Sequence, residues 1–282
     1  MREVVVVTDT TATIPEELLE ALDIRVVPLI LNLGGRSYQD GVDITPEVFY
    51  NLMRTSEELP KTSSPSIGEF VRVYAAAGKD AASILSIHLP ANLSAIYTTA
   101  LKASELVDGP HIQVIDSRTV SMAQGFIVLE AARKAAQGAS LAEVVERARE
   151  IAGRVKIYVM LDTLEYLHRG GRIGDAAALL GGLLQIKPVV YVLDGQVKPL
   201  AKPRTREKGM ECMLNEMEKE VGSQPVHAAI VQADAMEEAI VLKQQVAERF
   251  DCRELYLTEF TPVMGAHSGP GILGVAFYVE NH

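Results

Sequence analysis

Short, almost purely apolar segments alternate along the chain with segments of helical character, and this alternation restricts the possible folds more than any other feature. VVVVTDT, ASILSIHL and PVVYVL are three of the apolar segments. Apolar runs without polar alternation are typical of strands covered on both faces, as in α/β proteins. The helical segments have clear starts, because Thr13, Ser66 and Ser140 are each followed three residues later by a glutamate, the pattern of a capping box. The sequence therefore predicts an α/β fold.

The order of the segments predicts two domains. With 282 residues, 48% of them hydrophobic, the chain is long enough for more than one core. Two successive helical patterns separate a first group of strands from a second, so we expect an α/β domain with a mostly parallel sheet over residues 1–155 and another over residues 156–282. The stretch around Asp194–Gly195 predicts a hairpin, which makes the second sheet mixed. Short connections predict a cleft between the domains, a usual place for a ligand.

Composition excludes several classes of protein. The two cysteines, Cys212 and Cys252, form no CxxC or Cys/His cluster, so we expect no disulfide framework and no structural zinc. The first residues, MREVVVVTDT, lack the long apolar core of a signal peptide, and the apolar stretches elsewhere fall short of the ~20 residues that a membrane span needs. We therefore expect a cytoplasmic protein without stable membrane insertion. Walker and HExxH motifs are absent from the sequence, and its one GxGxxG match, from Gly269 to Gly274, leads into a predicted strand and not into the helix that a dinucleotide fingerprint needs, which predicts no nucleotide or metal cofactor.

The charge distribution favours an anionic partner at one segment only. The formal net charge of −10 disfavours nucleic acid as a partner. Between His168 and Lys208, however, eight basic residues face three acidic ones, a local excess of five positive charges. Arg169, Arg172 and Arg204 lie in this segment. It is either a docking patch for an anion or an acidic partner, or a solvated basic face.

Two groups of hydroxyl residues precede predicted helices. KTSSPSIGEF places Thr62 and Ser63 just before the helix that Ser66 caps, an arrangement that also suits an ordinary polar turn. In PANLSAIYTT, Asn92 or Ser94 stands where a strand leads into a helix. Helix amino ends attract carboxylates and phosphates, and ligands of α/β sheets bind at this edge. A simple helix cap is the alternative.

A histidine stands between glycines in GAHSGPGILGVAF. Gly265, Gly269 and a proline predict a tight loop around His267, followed by a strand over residues 272–279. His267 either pins this turn or contacts a ligand. It could also pair with Ser94 in a hydrolase, although the GxSxG pattern around the serine is absent and no carboxylate is placed by spacing.

The stretch RIGDAAALLGGLLQIKP predicts a small-residue apolar helix after the basic loop. Small residues let another helix approach closely, or they line a narrow channel for an alkyl chain.

Taken in order along the chain, these segments resemble the bacterial DegV family. The matching motifs are Thr8-Asp9-Thr10-Thr11, Tyr38-Gln39-Asp40-Gly41, Thr62-Ser63-Ser64-Pro65-Ser66, Leu93-Ser94, Gly170-Gly171-Arg172-Ile173, Lys202-Pro203-Arg204-Thr205 and His267-Ser268-Gly269-Pro270-Gly271. The resemblance covers the full length of the chain. It departs from the usual pattern at Ala95-Ile96, where Gly-Thr is common, and at Ser64, where glutamine is common.

The resemblance implies a lipid carrier rather than an enzyme. Its fold would be the two-domain DegV fold, with a long-chain fatty acid in a buried tunnel between the domains. Thr62, Ser94 and His267 would hold the carboxylate, and Ser63, Ala95 and Gly269 would support the head-group loop. A separate ATP-dependent kinase would phosphorylate the presented carboxylate, with Arg169, Arg172 and Arg204 contacting that partner or the phosphate. The alternatives are an acyl-ester hydrolase using Ser94 and His267, and a binding protein for another apolar carboxylate.

Overall fold

The computed structural model describes residues 2–56, 58–180 and 186–280, which form thirteen strands and ten α-helices. The strands are β1 (Arg2–Asp9), β2 (Arg25–Val27), β3 (Ile30–Leu33), β4 (Arg36–Gln39), β5 (Lys61–Ser63), β6 (Ala81–His88), β7 (His111–Asp116), β8 (Lys156–Met160), β9 (Val189–Leu193), β10 (Gln196–Ala201), β11 (Val226–Ala233), β12 (Cys252–Glu259) and β13 (Ile272–Val279). The helices are α1 (Glu16–Ala21), α2 (Pro46–Thr55), α3 (Ile67–Asp80), α4 (Ile96–Ser104), α5 (Ser121–Ala136), α6 (Leu141–Ala152), α7 (Glu165–Arg169), α8 (Arg206–Val221), α9 (Met236–Arg249) and α10 (Pro262–Ser268).

The first half of the chain contains a four-stranded parallel sheet. Its strand order is β2-β1-β6-β7, and every neighbouring pair is parallel. Val4 to Val7 of the central strand β1 are all buried, because helices cover both faces of the sheet. The parallel sheet predicted from the unbroken apolar runs is therefore confirmed.

The second half contains a six-stranded mixed sheet with the order β10-β9-β8-β13-β11-β12. β11 and β12 are parallel, whereas the other neighbours are antiparallel. The predicted hairpin is confirmed: Asp194 and Gly195 join β9 to β10 with φ values of 48° and 72°, the positive values that a two-residue turn of type I′ requires. Along β9, Val189 belongs to a core beneath α8 and α9, while Val190 and Val192 line a cavity on the opposite face.

A three-stranded antiparallel sheet, β4-β3-β5, which we call the edge sheet, was not predicted. The apolar run IRVVPLIL looks like one strand, but β2 ends before Pro28 and β3 begins after it, in a different sheet. β5 is only three residues long and polar, so its sequence lacks the pattern of a strand. Its pairing with β3 places Thr62 opposite Leu31.

Two of the three predicted helix caps are confirmed, at Ser66 and at Ser140. Ser66 Oγ accepts a hydrogen bond from Glu69 N at 3.2 Å, and Ser140 forms a reciprocal box with Glu143. Thr13 does not cap α1, which begins after Pro15; it ends a 3-10 turn in a left-handed conformation, with a φ of 50°.

Small residues after the basic loop do not continue as an α-helix. Residues Gly174–Leu179 form a 3-10 helix, and the later part of the predicted helix, residues 181–185, lies outside the described residues.

Helix α5 lies between the two larger sheets. It packs against β1 of the parallel sheet and β13 of the mixed sheet, and its residues from Ser121 to Ala132 are buried. The division of the chain after residue 155 stays a prediction. Among residues 2–56, 58–180 and 186–280, no helix is both long and apolar enough to cross a membrane.

Candidate ligand-binding site

A cavity of about 320 Å³ lies between residues of the first and the second half of the chain. Its wall is mostly apolar, and its volume lies within the roughly 300–1,000 Å³ typical of small-molecule pockets. The apolar lining residues are Leu29, Leu89, Leu93, Ala95, Val120, Val159, Leu161, Leu167, Val190, Val192, Val197, Phe260, Val263, Met264 and Ile272. The polar ones are Thr11, Thr62, Ser63, Ser64, Ser94, Arg172, His267 and Ser268.

Two of the predicted site residues contact each other at this cavity. Thr62 Oγ1 on β5 lies 2.7 Å from His267 Nε2, although the two residues are 205 positions apart in the chain. His267 stands in the last turn of α10, so the prediction that it lies in a loop is wrong. Pro262 opens this helix and Gly269 ends it with a φ of 75°, and the predicted strand over residues 272–279 follows.

His267 is a neutral imidazole at physiological pH. Burial, with a smaller contribution from the nearby Arg172 guanidinium, lowers its pKa from 6.5 to about 4. Its second ring nitrogen, Nδ1, is buried and has no hydrogen-bond partner among the described residues. Gly170 lies against this atom, because a Cβ atom there would be only 2.6 Å from Nδ1. The ring therefore acts at the cavity through Nε2.

Ser94 lies two residues before helix α4 and in the wall of the cavity. Its Oγ accepts a hydrogen bond from Ile96 N at 3.2 Å, at the start of α4. The same oxygen lies 3.3 Å from Ser64 Oγ, which brings the two predicted hydroxyl segments together. The expected position at a strand-to-helix turn is thus correct, because Ser94 follows β6 and precedes α4. Ser63 and Ala95 line the cavity beside Ser64 and Ser94.

Of the three predicted arginines, only Arg172 reaches this cavity. Its Nε donates to Leu93 O at 3.1 Å and its Nη1 donates to Gly170 O at 2.6 Å, so backbone carbonyls fix the guanidinium beside the serine and the histidine. Arg169 is exposed and paired with Glu165 at 2.6 Å. Arg204 is exposed on the connection between β10 and α8.

A second cavity of about 360 Å³ adjoins the first. The two cavities share Thr62, Arg172 and His267, and the second also contains Lys61 and Arg169. The three shared residues therefore have the apolar cavity on one side and the second cavity, which we call the basic recess, on the other.

Gly269 does not line the first cavity, but it ends helix α10 and packs closely against Tyr166. A Cβ atom at this position would lie 2.2 Å from the Tyr166 ring, and the positive φ disfavours other residues. Ser268, its neighbour, does line the cavity. The supporting role of Gly269 at the head-group loop stays a prediction.

The geometry of a Ser–His hydrolase is missing at this site. Nε2 of His267 faces Thr62 rather than Ser94, and in the described part of the chain no carboxylate contacts Nδ1 to orient the ring. A general base with a pKa of about 4 would also be weak at neutral pH. These features disfavour the hydrolase alternative.

A different Ser–His–Asp set was missed in the sequence. Ser86 Oγ lies 2.6 Å from His88 Nε2, and His88 Nδ1 lies 2.9 Å from Asp9 Oδ2. Its only sequence signal is the alternation of serine and histidine at the end of ASILSIHL. All three side chains are fully or almost fully buried, and the Tyr74 hydroxyl donates to Ser86 Oγ. The set is a sealed network that joins β1, β6 and α3.

The low pKa of His267 predicts a pH dependence of stability. The unfolded chain takes up a proton near pH 6.5, whereas the folded protein resists it until about pH 4. The contribution of the neutral ring is complete above pH 6.5 and is lost as the pH falls toward 4, by on the order of 3 kcal/mol. Urea unfolding of His267→Asn at both pH values should show a smaller acid loss. His111→Asn, which removes an exposed histidine, is the control; equal acid losses for wild type and His267→Asn would contradict the prediction.

The comparisons with known proteins agree with the fold. A DegV family model matches residues 3–280. A DegV domain-containing protein of Staphylococcus aureus is 35% identical over 276 residues, covering 98% of this chain and 98% of its own. A DegV family protein from Thermus thermophilus, whose structure concerns fatty acid binding, matches this chain with a TM-score of 0.94 and 33% sequence identity. The match covers 99% of this chain and 100% of that one.

DegV from Bacillus subtilis, described as a fatty acid binding protein, has a TM-score of 0.92 and 32% identity, again with 99% of this chain and 100% of that chain covered. The predicted α/β fold class is therefore confirmed. From the family model, the identity and the coverage together, the chain belongs to the DegV family.

Proposed function

We propose that this protein binds a long-chain fatty acid in the apolar cavity, which forms a tunnel between the domains 1–155 and 156–282. The observation that carries the proposal is an apolar cavity that ends in a compact polar group, Thr62, Ser94 and His267. The fatty acid binding of the relatives from Thermus thermophilus and Bacillus subtilis supports it.

Tail and head group contribute differently to the binding energy. Burial of an alkyl tail is worth about 0.8 kcal/mol per methylene, so ~15 methylenes supply on the order of 10 kcal/mol before the cost of association. A carboxylate at the polar end needs hydrogen-bond donors, because a buried unpaired charge is expensive. The hydroxyls of Thr62 and Ser94 are the donors. The neutral His267 ring donates from Nε2 to Thr62 Oγ1, which leaves the Thr62 hydroxyl proton free for the carboxylate. Arg172 supplies the positive charge nearby.

The test is mass spectrometry of the small molecules that the purified protein releases on denaturation. We expect a fatty acid of roughly 14 to 18 carbons, at about one molecule per chain, because a tail of this length can supply on the order of 10 kcal/mol of burial energy. A different apolar carboxylate would assign the site to another ligand class. A protein that is empty and also fails to take up added palmitate or oleate would contradict fatty acid binding.

Removal of a head-group hydroxyl should weaken binding. Thr62→Val and Ser94→Ala each remove a donor from a buried carboxylate, which costs about 1–3 kcal/mol, or roughly 5- to 150-fold in Kd. Displacement of a fluorescent fatty acid measures the change. Thr98→Val, which alters an exposed threonine of α4, is the matched control and should bind as the wild type does. Affinities of Thr62→Val and Ser94→Ala equal to the control would remove these residues from the site.

The second half of the proposal is presentation of the carboxylate to a separate ATP-dependent kinase, so that this chain is a non-catalytic carrier. Two observations support it. The basic recess beside His267 contains Lys61, Arg169 and Arg172, a suitable place for a phosphoryl group leaving the partner's nucleotide. The local excess of positive charge between residues 168 and 208 suits an acidic face on that partner.

Substitution of the two exposed arginines, Arg169 and Arg204, distinguishes fatty acid binding from the contact with the kinase. Arg169→Glu combined with Arg204→Glu reverses charge at the surface but leaves the lining of the apolar cavity intact, so fatty acid binding should be unchanged. Acyl phosphate formation by the separate fatty acid kinase catalytic subunit should fall at least about tenfold, because like charges at a contact slow association. Lys243→Glu, on the distant helix α9, is the control. Equal loss of binding and of phosphorylation would contradict this division.

A further inference from the structure

The helix that carries His267 cannot hold its own position. α10 has only seven residues, far fewer than the ~12–15 that an isolated helix needs in water. Its first residue is Pro262, which has no N–H, and the side chain of the preceding Thr261 makes no hydrogen bond to the first turn. The N–H groups that open the helix therefore depend on a partner from elsewhere in the chain.

That partner is Asp40, which lies 223 positions earlier in the sequence. Its Oδ1 accepts a hydrogen bond from Val263 N at 3.0 Å. Its Oδ2 accepts one from Thr10 Oγ1 at 2.6 Å, and its backbone N–H donates to Leu29 O at 2.9 Å. The residue is fully buried at the end of β4. One side chain thus joins the loop after β1, the edge sheet and the start of α10.

Keeping a carboxylate here has a cost. Burial raises the pKa of Asp40, although the hydrogen bonds from Thr10 and Val263 oppose that rise, and the neighbouring Asp9 adds a repulsive charge. A neutral side chain would avoid the cost, but aliphatic residues could not accept the Val263 N–H. The position therefore demands an acceptor that can span from β4 to α10.

The capped end of α10 lies one helical turn from the histidine. Val263 and His267 are separated by four residues, so they stand on the same face of the helix. Both line the apolar cavity, with Met264 between them. Beyond this turn, Nε2 of His267 meets Thr62 at 2.7 Å, and Gly170 closes the other side of the ring. A shift at Val263 is transmitted to the head-group end of the cavity.

We propose that Asp40 is a positioning residue, which caps α10 and thereby holds His267 against Thr62. This role gives the Tyr38-Gln39-Asp40-Gly41 motif a function in the site, although Asp40 itself does not line the apolar cavity. The effect on fatty acid affinity rests on the proposed function, whereas the effect on His267 does not.

The experiment follows the ring nitrogens of His267 by NMR through a pH titration, with His267→Asn used to assign the signals. The readout needs no ligand. Asp40→Ala removes the cap, so α10 loosens and the His267 pKa should rise from about 4 toward the 6.5 of an exposed histidine, by at least about one pH unit. Asp40→Asn keeps an acceptor for Val263 N–H and should stay near the wild type. Asp108→Ala, which removes an exposed aspartate outside this loop, is the control.

The second readout is fatty acid affinity, which Asp40→Ala should lower at least about tenfold. A folded Asp40→Ala with an unchanged His267 titration overturns the proposal, because a purely structural role would lower stability without moving that titration. A shifted titration with unchanged affinity supports the positioning role and counts against the proposed head-group site. If Asp40→Ala does not fold, Thr10→Val releases the other side of the carboxylate; its His267 pKa should rise by a smaller amount, and no rise overturns the proposal.

Discussion

Val192→Phe should weaken fatty acid binding strongly while the protein remains folded. Val192 lies on β9 with its side chain in the wall of the apolar cavity, and it is half-buried, so a larger side chain can extend into empty space. The ring takes the place of about four methylenes of the ligand, which removes about 3 kcal/mol, or more than 100-fold in Kd. Displacement of a fluorescent fatty acid measures the loss. The thermal unfolding temperature of the ligand-free protein should be unchanged or raised, because filling a cavity adds contacts.

Val241→Phe makes the same chemical change on the exposed face of α9 and serves as the control. It should bind fatty acid as the wild type does. Normal binding by a folded Val192→Phe would mean that the tail lies elsewhere, even if Thr62 and Ser94 hold the carboxylate. The cavity variant and the hydroxyl variants therefore test opposite ends of one ligand.

Much of the fold could be predicted because its signals are local. The run from Val4 to Val7 predicts a buried parallel strand, and Asp194-Gly195 predicts the hairpin turn, since both patterns depend on adjacent residues. The edge sheet could not be predicted in this way. β5 is short and polar, and it forms a strand only because β3 supplies hydrogen bonds from another part of the chain. Pro28, in the middle of an apolar run, was the one available sign that two strands were present.

The site could be predicted as a set of residues but not as an arrangement. The resemblance to DegV proteins named Thr62, Ser94 and His267, and the structure brings all three to one cavity. Neither the contact between Thr62 and His267 nor the cap from Asp40 has a local sequence signal, because each joins residues more than 200 positions apart. The sequence predicts a loop in place of the short helix α10, since Gly265 and Gly269 lower helix propensity and its cap lies outside the segment.

A charged network holds α5 and α6 against the mixed sheet. Glu130 on α5 is mostly buried and bonds Arg133 at 2.8 Å and Arg147 of α6 at 3.0 Å. Arg133 also pairs with Glu254 on β12, at 3.0 Å. Burial alone would raise the pKa of Glu130, but the hydrogen bonds from Arg147 and Arg133 outweigh it, and the pKa is lowered. The Glu130 carboxylate is therefore charged, and it accepts hydrogen bonds from both Arg133 and Arg147.

Glu130→Ala should destabilise the protein by about 3 kcal/mol, because it leaves two half-buried guanidinium groups short of a partner. Urea unfolding at neutral pH measures the change. Glu150→Ala is the matched control: this glutamate is more exposed than Glu130 and also pairs with Arg147, and ion pairs near the surface are worth about 0–1 kcal/mol. Replacing both charges by apolar side chains, Glu130→Leu with Arg147→Met, should recover most of the loss, since burial of an ion pair costs desolvation that hydrophobic contacts avoid. If Glu130→Ala costs no more than Glu150→Ala, the network behaves as a surface pair, and apolar packing of α5 alone holds the helix between the two sheets.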